Sequence, residues 1–183
     1  SSSILKMKQA NIDAVVTLIS PADGITFTKQ MKEQDFAPKY MMGWKGFWPT
    51  EYMEGLGADS DYVCYDAFWS EDNGAPGSKE LGEAYKADNN GLDSVSIGLF
   101  YANVQILAKA FENAGSTDPA AVRDAVFNHT FPGTVMGDVQ YNEKGTAKVI
   151  PLGNQWMGGK RVIIYPKEVA TGEMEWFKPW KER

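Results

Sequence analysis

The chain has very few of the residues that metal and nucleophile sites commonly use. Its 183 residues include one cysteine, Cys64, and one histidine, His129. A disulfide within the chain and a thiolate metal cluster are therefore excluded, and a Ser-His or Cys-His mechanism would depend on His129 alone. The tract around Cys64 is largely apolar, which is typical of a cysteine in a core strand. We expect no metal, no cofactor and no catalytic residue.

Catalytic motifs and one-sided charge are missing as well. The sequence contains no nucleophile elbow, phosphate-binding glycine loop, zinc-protease helix or dinucleotide fingerprint. Its 18 basic and 24 acidic residues give a formal charge of -6 without long blocks of one sign, which argues against nucleic acid as a partner. The longest apolar stretch, Ile97 to Phe111, is interrupted by Asn103, Gln105 and Lys109 and does not fit a membrane span.

What is present at the start is an alternation of helix and strand patterns. Helices are predicted at Ser3 to Ala10 and Pro21 to Gln34, with an almost entirely apolar strand at Ile12 to Ser20 between them. Such a run is typical of a strand covered on both faces by crossover helices, so it indicates a parallel α/β sheet. Ser20 fits the N-cap of the second helix, with Asp23 at the capping-box position.

The composition changes in the middle of the chain. Ser70 to Ser78 is rich in Gly, Pro, Asp and Asn and is the best candidate for a hinge or a crossing between lobes. Ser94 to Asn113 predicts a helix that is apolar on most sides, so we expect it to be deeply buried. The other predicted elements are strands at 40–44, 61–69, 135–141, 147–151, 154–157 and 161–165 and helices at 51–56, 79–88 and 119–127.

Ligand-binding residues are expected where the parallel strands end, because open α/β sheets bind ligands at the carboxyl ends of their strands. The first such junction is Ser20 to Gly24, and the second is Trp44 to Trp48. Aromatic residues beside polar groups are usual in small-molecule clefts, although ordinary core packing is an equal alternative. Carboxylate catalysis by Asp23, Glu51 and Asp66 is a further alternative.

Four segments, taken in order, resemble type I periplasmic binding proteins of the branched-chain amino acid group. They are Ser3 to Val16, Tyr40 to Gly43, Phe100 to Gln105 and Gly137 to Gly145, and together they span nearly the whole chain. Family members are much longer, so the chain looks like the C-terminal part of such a protein. The resemblance implies an α/β fold, with lobes built on Rossmann-like doubly wound parallel sheets, in an incomplete two-lobe protein.

The resemblance also implies a domain organisation and partners. Residues 1–70 would form part of the second lobe, residues 71–150 would return to the first, residues 151–165 would cross back, and residues 166–183 would form an extended arm. The solute would bind between closing lobes and pass to the membrane subunits of an ABC permease. We expect a periplasmic protein, or a lipid-anchored extracytoplasmic one in a Gram-positive bacterium. Its signal peptide would be removed, and with its N-terminal part it would be a monomer.

The expected ligand is a small organic solute. Amino-acid binders of the family carry a carboxylate where this chain has Lys45, and a tyrosine in the strand before Pro21 that is missing here. A cation at position 45 would repel an ammonium group and suit a carboxylate, so an aromatic or other organic carboxylate is preferred to an amino acid. The candidate ligand-binding residues are Ser20, Pro21, Ala22, Asp23, Trp44, Lys45, Gly46, Phe47, Gly98 and Tyr101.

Two other functions stay open at the level of sequence. A ligand-sensing regulatory domain of the same fold would bind a solute in the same way but act on an effector protein. An α/β enzyme that uses carboxylates is the weaker alternative, since no nucleophile, metal set or cofactor loop is visible. We therefore expect a binding protein without turnover.

Overall fold

The computed structural model describes residues 2–183 and divides the chain into two compact units. The first unit contains the described residues up to Ala67 and a second segment, Leu152–Arg183. The second unit is Phe68–Pro151, which is inserted between those two segments. The helices and strands, in chain order, are α1 (Ser2–Gln9), β1 (Ala14–Thr17), α2 (Pro21–Glu33), β2 (Tyr40–Gly43), α3 (Thr50–Leu56), β3 (Cys64–Ala67), α4 (Ser78–Asp88), α5 (Ile97–Ala114), α6 (Pro119–Asn128), β4 (Thr130–Thr134), β5 (Gly137–Gln140), β6 (Leu152–Met157) and β7 (Lys160–Tyr165).

The first unit is built on a five-stranded sheet with the order β1-β2-β3-β6-β7. β1, β2 and β3 are parallel, as their apolar runs and intervening helices predict. β6 pairs antiparallel with β3, and β7 pairs antiparallel with β6 to form a hairpin. Gly158 and Gly159 make the hairpin turn with positive φ values of 58° and 73°, a conformation that glycine adopts without steric cost. The sheet is therefore mixed, with two parallel and two antiparallel strand pairs, in an α/β architecture.

One face of β1 is open. Val15 is 5% exposed, but Val16 and Leu18 are 74% and 72% exposed. The prediction that helices cover this strand on both faces is therefore wrong for residues 2–183. The apolar run correctly predicts a parallel strand. Side chains of alternate residues point to opposite faces of the sheet, however, and only one of those faces is covered.

Capping residues fix the start of α2, which follows β1. Ser20 has extended backbone, and its hydroxyl accepts a hydrogen bond from the Asp23 N–H, as predicted for an N-cap. Pro21 occupies the first turn, where its missing N–H costs no helical hydrogen bond. β1 and α2 are therefore joined by a short connection of defined geometry.

The second unit packs α5 and α6 against a two-stranded hairpin, β4 and β5. Its core cluster contains Ile106, Ala110, Val122, Ala125, Phe131 and Val139. The prediction of a deeply buried α5 is wrong, because Phe100 and Val104 are each 67% exposed. The strand predicted at 147–151 is also wrong, since Ala147 forms only an isolated bridge with Tyr141.

The C-terminal segment of the first unit contains two short 3-10 helices, Lys167–Val169 and Trp180–Glu182. Phe177 and Trp180 are buried, and Trp180 Nε1 donates a hydrogen bond of 2.8 Å to the Phe36 carbonyl. This segment is thus anchored by aromatic side chains. Within residues 2–183, no helix combines the length and the apolar character of a membrane span.

Candidate functional site at the ends of the parallel strands

A cavity of about 250 Å³ lies at the carboxyl ends of β1, β2 and β3. These strands are parallel, so their carboxyl ends meet at one edge of the sheet, where α/β folds bind ligands. The residues that line the cavity are Val16, Thr17, Leu18, Met42, Gly43, Trp44 and Asp66. Most of this lining is apolar or aromatic, with a hydroxyl and a carboxylate among it, which is the usual character of a small-molecule site.

Two glycines let the loops at the rim approach each other closely. A Cβ placed on Gly46 would lie 2.8 Å from the Ile19 carbonyl oxygen and 2.9 Å from that of Ser20. A Cβ on Gly24 would lie 2.5 Å from the Gly46 carbonyl oxygen. Since no side chain fits in these gaps, the end of β1 and the turn after β2 are in backbone contact.

Phe47 supports the site from within the core. It is fully buried and packs edge to face on Tyr52, with ring centroids 4.9 Å apart. A Cβ on Gly43 would lie 1.7 Å from the Phe47 ring, so β2 must carry a glycine there. Phe47 therefore does not line the cavity, although Gly43 in front of it does.

Asp66 brings the only ionisable side chain among the described residues of the cavity wall. The Trp48 indole N–H donates to its Oδ1 across 3.4 Å. Burial raises the pKa of the Asp66 carboxyl above its ordinary value, and the Trp48 indole and other hydrogen bonds oppose that rise. The carboxylate is therefore held in a partly desolvated setting beside the indole of Trp48.

Thr17 adds a hydroxyl to the same wall. Among the described residues, no hydrogen-bond partner lies within reach of its buried Oγ1. A buried hydroxyl without a partner costs about 1–3 kcal/mol, so an atom that reached it would recover part of that cost. Thr17 and Asp66 are thus the two polar side chains of this cavity.

The predicted residues of the first junction lie at the start of α2. Ser20 donates its hydroxyl proton to Asp23 Oδ2 across 2.7 Å, and both residues are exposed. Ala22 is exposed and Pro21 half-buried. Asp23 already has the Ser20 hydroxyl as a partner, and none of the four lines the cavity.

Of the predicted residues at the second junction, only Trp44 belongs to the cavity wall. Trp44 lines the cavity and is 37% exposed. Lys45 is exposed at the start of the 3-10 helix Lys45–Phe47, next to Trp44 in the chain but outside the cavity wall. Gly46 and Phe47 are buried.

The remaining two candidates, Gly98 and Tyr101, belong to the second unit. Gly98 is buried, and a Cβ there would lie 2.0 Å from the Trp69 indole. Tyr101 is 48% exposed on α5. Both stay predictions as ligand contacts.

Sequence reasoning did not assign six residues of the wall to ligand binding, namely Val16, Thr17, Leu18, Met42, Gly43 and Asp66. Thr17 and Gly43 end their strands, and Asp66 is the penultimate residue of β3. The usable signal was the position of Asp66, because a carboxylate in an apolar strand near its carboxyl end needs a partner. Among residues 2–183, no group of three or more His, Cys, Asp and Glu side chains is placed to hold a metal ion.

A larger groove of about 590 Å³ lies in the second unit, between Phe127 and the turn that follows β5. Its polar wall is occupied by turn contacts, in which the Asn142 side chain donates to Thr146 Oγ1 and accepts from the Lys144 N–H. The groove contains no strand end, so the cavity of the first unit is the better candidate.

Comparison with known proteins places the chain among solute-binding proteins. Residues 1–149 match the family model described as periplasmic binding protein. A Leu/Ile/Val-binding protein homolog of Brucella abortus is 26% identical over 186 residues, which cover 95% of this chain and 46% of that protein. The chain therefore spans about half the length of the curated relatives it matches.

Solved structures show the same fold. The branched-chain amino acid substrate-binding protein LivJ of Streptococcus pneumoniae, in complex with isoleucine, superposes with a TM-score of 0.75 at 19% identity, covering 91% of this chain and 48% of that one. A solute-binding protein of Rhodopseudomonas palustris, in complex with benzoate, gives 0.73 at 14% identity, covering 98% and 48%. At such identities the likeness concerns the fold alone.

Proposed function

This chain belongs to the periplasmic binding protein family, and we propose that it acts in the extracytoplasmic solute-binding component of an ABC transporter. The observation that carries the proposal is the cavity where β1, β2 and β3 end, about 250 Å³ in volume. Its size suits a small organic solute rather than a polymer. The solute would be bound and released without chemical change.

The wall of the cavity supports a solute with an apolar or aromatic body. Val16, Leu18 and Met42 offer aliphatic and thioether surface, and Trp44 offers an indole. Removing apolar surface from water is worth about 25 cal/mol for each Å², so a body that fills this space gains affinity from burial. Aromatic solutes would gain further from contact with the indole.

We propose an organic carboxylate as the ligand, on the strength of Lys45. Lys45 is exposed and comes directly after the cavity residue Trp44 in the chain. A solute carboxylate at the rim of the cavity could therefore meet its ammonium group. A charge-assisted hydrogen bond of this kind is stronger than one between neutral groups. The benzoate complex of the Rhodopseudomonas palustris relative agrees with this choice, although identity to that protein is only 14%.

Amino acids are the second candidate class, because the curated relative is named a Leu/Ile/Val-binding protein homolog. The relative from Streptococcus pneumoniae has isoleucine bound. Both classes share the carboxylate and differ in the amine. The binding component would deliver either solute to membrane permease subunits in a periplasmic or lipid-anchored setting.

A thermal-shift and calorimetry panel tests this function on the purified protein. The compounds are leucine, isoleucine, phenylalanine, benzoate and 3-phenylpropanoate, with glucose as an unrelated solute. We expect at least one carboxylate to raise the midpoint of unfolding in a concentration-dependent way, since a ligand that binds only the folded state stabilises it. Binding of glucose alone, or of no compound, would contradict the proposal.

The substitution Gly43→Ala tests whether the solute binds in the cavity, because Gly43 lies on its wall. The added methyl group would collide with the Phe47 ring and disturb the back of the wall. We expect the stabilising compound to lose most of its affinity. Gly55→Ala is the matched control, because the nearest heavy atom to a Cβ there is an Ile25 carbon 3.5 Å away and the position is outside the cavity wall.

A further inference from the structure

Asp66 is the shared hydrogen-bond acceptor of two indoles. Trp48 Nε1 donates to Asp66 Oδ1 across 3.4 Å. The Trp44 side chain, whose only donor is likewise its Nε1–H, donates to the same carboxylate. Both indoles therefore turn their N–H edges toward one side chain. Because this carboxylate already accepts from two donors of the protein, it does not need a donor from the solute.

The two indoles also contact each other at a defined angle. Their ring centroids are 5.4 Å apart and their planes meet at 78°, so the edge of one ring lies against the face of the other. In such a pair Trp48 covers at most one face of Trp44, whichever ring supplies the edge. Trp44 lines the cavity and is 37% exposed, so a face of its ring is left for a solute.

The carboxylate is held more firmly than the indole that it orients. Trp44 follows the last residue of β2 and is partly exposed, and a side chain in such a position changes rotamer unless a specific contact holds it. Asp66 belongs to β3, which pairs with β2 on one side and with β6 on the other. A group on a paired strand can therefore fix the orientation of a ring that projects from a loop.

The charge of Asp66 also sets the direction of a bound carboxylate. Deep in the cavity, a solute carboxylate would face a like charge in a partly desolvated site, which is unfavourable. The rim, where Lys45 is exposed, is the better place for it. The body of the solute then lies inward, beside the Trp44 ring.

Building on the proposed function, we propose that Asp66 is a positioning residue that holds Trp44 and Trp48 by their N–H edges and makes the site selective for solutes with an aromatic ring. The ring of the solute packs on the open face of Trp44, and Asp66 does not bind the solute itself. Contact between two aromatic rings is worth more than the burial of their area alone. A saturated ring of similar size fills the same space without that gain.

Matched pairs of compounds that differ in ring saturation test the proposal. The pairs are benzoate with cyclohexanecarboxylate, 3-phenylpropanoate with 3-cyclohexylpropanoate, and L-phenylalanine with L-cyclohexylalanine, each titrated by calorimetry against the purified protein. We expect the aromatic member of at least one pair to bind at least about threefold more tightly. In Asp66→Leu, which removes the acceptor, this preference should vanish or reverse, because the saturated ring is the more apolar of the two.

Further variants separate positioning from a general effect on the fold. Asp66→Asn keeps an amide oxygen with two lone pairs for the indoles and should keep an aromatic preference of about twofold or more. Trp48→Phe removes one donor at a position outside the described wall and should lower the preference. Trp176→Phe removes an indole that is 63% exposed and also outside that wall, and it should leave the preference unchanged. Thermal unfolding of each variant shows whether it is folded.

Circular dichroism in the aromatic region measures the indole pair without a solute. Two indoles this close and this strongly inclined couple their electronic transitions, and the resulting bands are lost when either ring turns away. We expect Asp66→Leu and Trp48→Phe to lose the same bands and Asp66→Asn to keep them. Retention of these bands in a folded Asp66→Leu would overturn the inference.

The binding results distinguish this inference from the proposed function. Equal or tighter binding of the saturated compounds, or an unaltered aromatic preference in Asp66→Leu, would overturn the inference while the proposed function stands. Binding of leucine or isoleucine alone would have the same meaning. If Asp66→Leu does not fold, Trp48→Phe decides, since an unaltered preference there overturns the inference and a lowered one supports it. Binding of none of these solutes would overturn both.

Discussion

Trp156 donates its indole N–H to the main-chain carbonyl of Phe47 across 2.9 Å, and both side chains are buried. Trp156 lies on β6, in the segment that follows the inserted second unit, whereas Phe47 ends the turn after β2. The bond therefore ties the returning segment to the loop that carries Trp44 and Lys45. The segment Leu152–Arg183, which lies far along the chain, therefore helps to hold this loop of the first unit in position.

Trp156→Phe should lower the free energy of unfolding by about 1–3 kcal/mol. The buried Phe47 carbonyl loses its indole donor, and the smaller phenyl ring leaves part of the buried space of Trp156 unfilled. Urea unfolding followed by circular dichroism measures the change. Trp176→Phe, at a position that is 63% exposed, is the matched control and should change stability by less than about 0.5 kcal/mol. Equal effects of the two substitutions would show that the hydrogen bond contributes little.

Gly46→Ala should both destabilise the protein and weaken solute binding. The methyl group would approach two carbonyl oxygens, of Ile19 and Ser20, at 2.8 and 2.9 Å and force the rim loops apart. We expect a loss of about 1–3 kcal/mol in unfolding free energy, typical of overpacking. Gly55→Ala in α3 should have no such cost and should be stabilising, because alanine favours the helix by about 1 kcal/mol. A neutral Gly46→Ala would mean that the loops adjust freely.

Local patterns predicted the parallel part of the fold well. Apolar runs with intervening amphipathic segments indicated β1, β2 and β3, and Ser20 was correctly identified as an N-cap. β4 was missed because Thr130–Thr134 contains proline and glycine, which usually argue against a strand. Such residues are tolerated in a two-stranded hairpin, where each strand has a free edge.

Burial was harder to predict than secondary structure. The stripe of α5 with Ala102 and Ile106 is buried, whereas the stripe with Phe100 and Val104 is exposed. A helix pattern shows which residues share a face, but the neighbour that covers that face is set by tertiary contacts. For the same reason, the position of Asp66 on a cavity wall followed only from the register of β3 beside β2.

Cys64 should resist thiol reagents while the protein is folded. It is buried, and burial raises the pKa of its thiol to about 11, so the reactive thiolate is scarce at pH 8. We expect labelling by an aromatic disulfide reagent to be slow in buffer and complete within minutes in urea, where the pKa returns to its ordinary value. Rapid stoichiometric labelling of the folded protein would contradict the burial of Cys64.

Asp66 should make stability fall as the pH rises above the ordinary aspartate range. Burial raises the pKa of its carboxyl in the folded state above 3.8, so the folded protein holds the proton more tightly than the unfolded chain does. The free energy of unfolding therefore decreases between pH 3.8 and the folded-state pKa, and the contribution is constant above it. In Asp66→Asn this component should vanish, as urea unfolding at a series of pH values would show. An identical pH profile for both proteins would argue against a raised pKa.

Arg183→Ala should destabilise the first unit by about 1–3 kcal/mol. The Arg183 guanidinium carbon lies 3.9 Å from the centroid of the Phe177 ring and 4.1 Å from that of the Trp180 ring, where cation–π contact adds to burial. Its Nη1 donates to the Asp59 and Asp61 carbonyls at 3.0 and 3.2 Å.

Burial lowers the pKa of the Arg183 guanidinium to about 10, so it is still charged at neutral pH. Arg183→Lys should recover only part of the stability, since an ammonium group lacks the planar guanidinium face that lies over the two rings. Lys181→Ala, at an exposed neighbouring position, is the control and should have little effect. Denaturant unfolding measures all three variants. If Arg183→Ala were as stable as Lys181→Ala, the contacts of Arg183 would not hold the C-terminal segment in place.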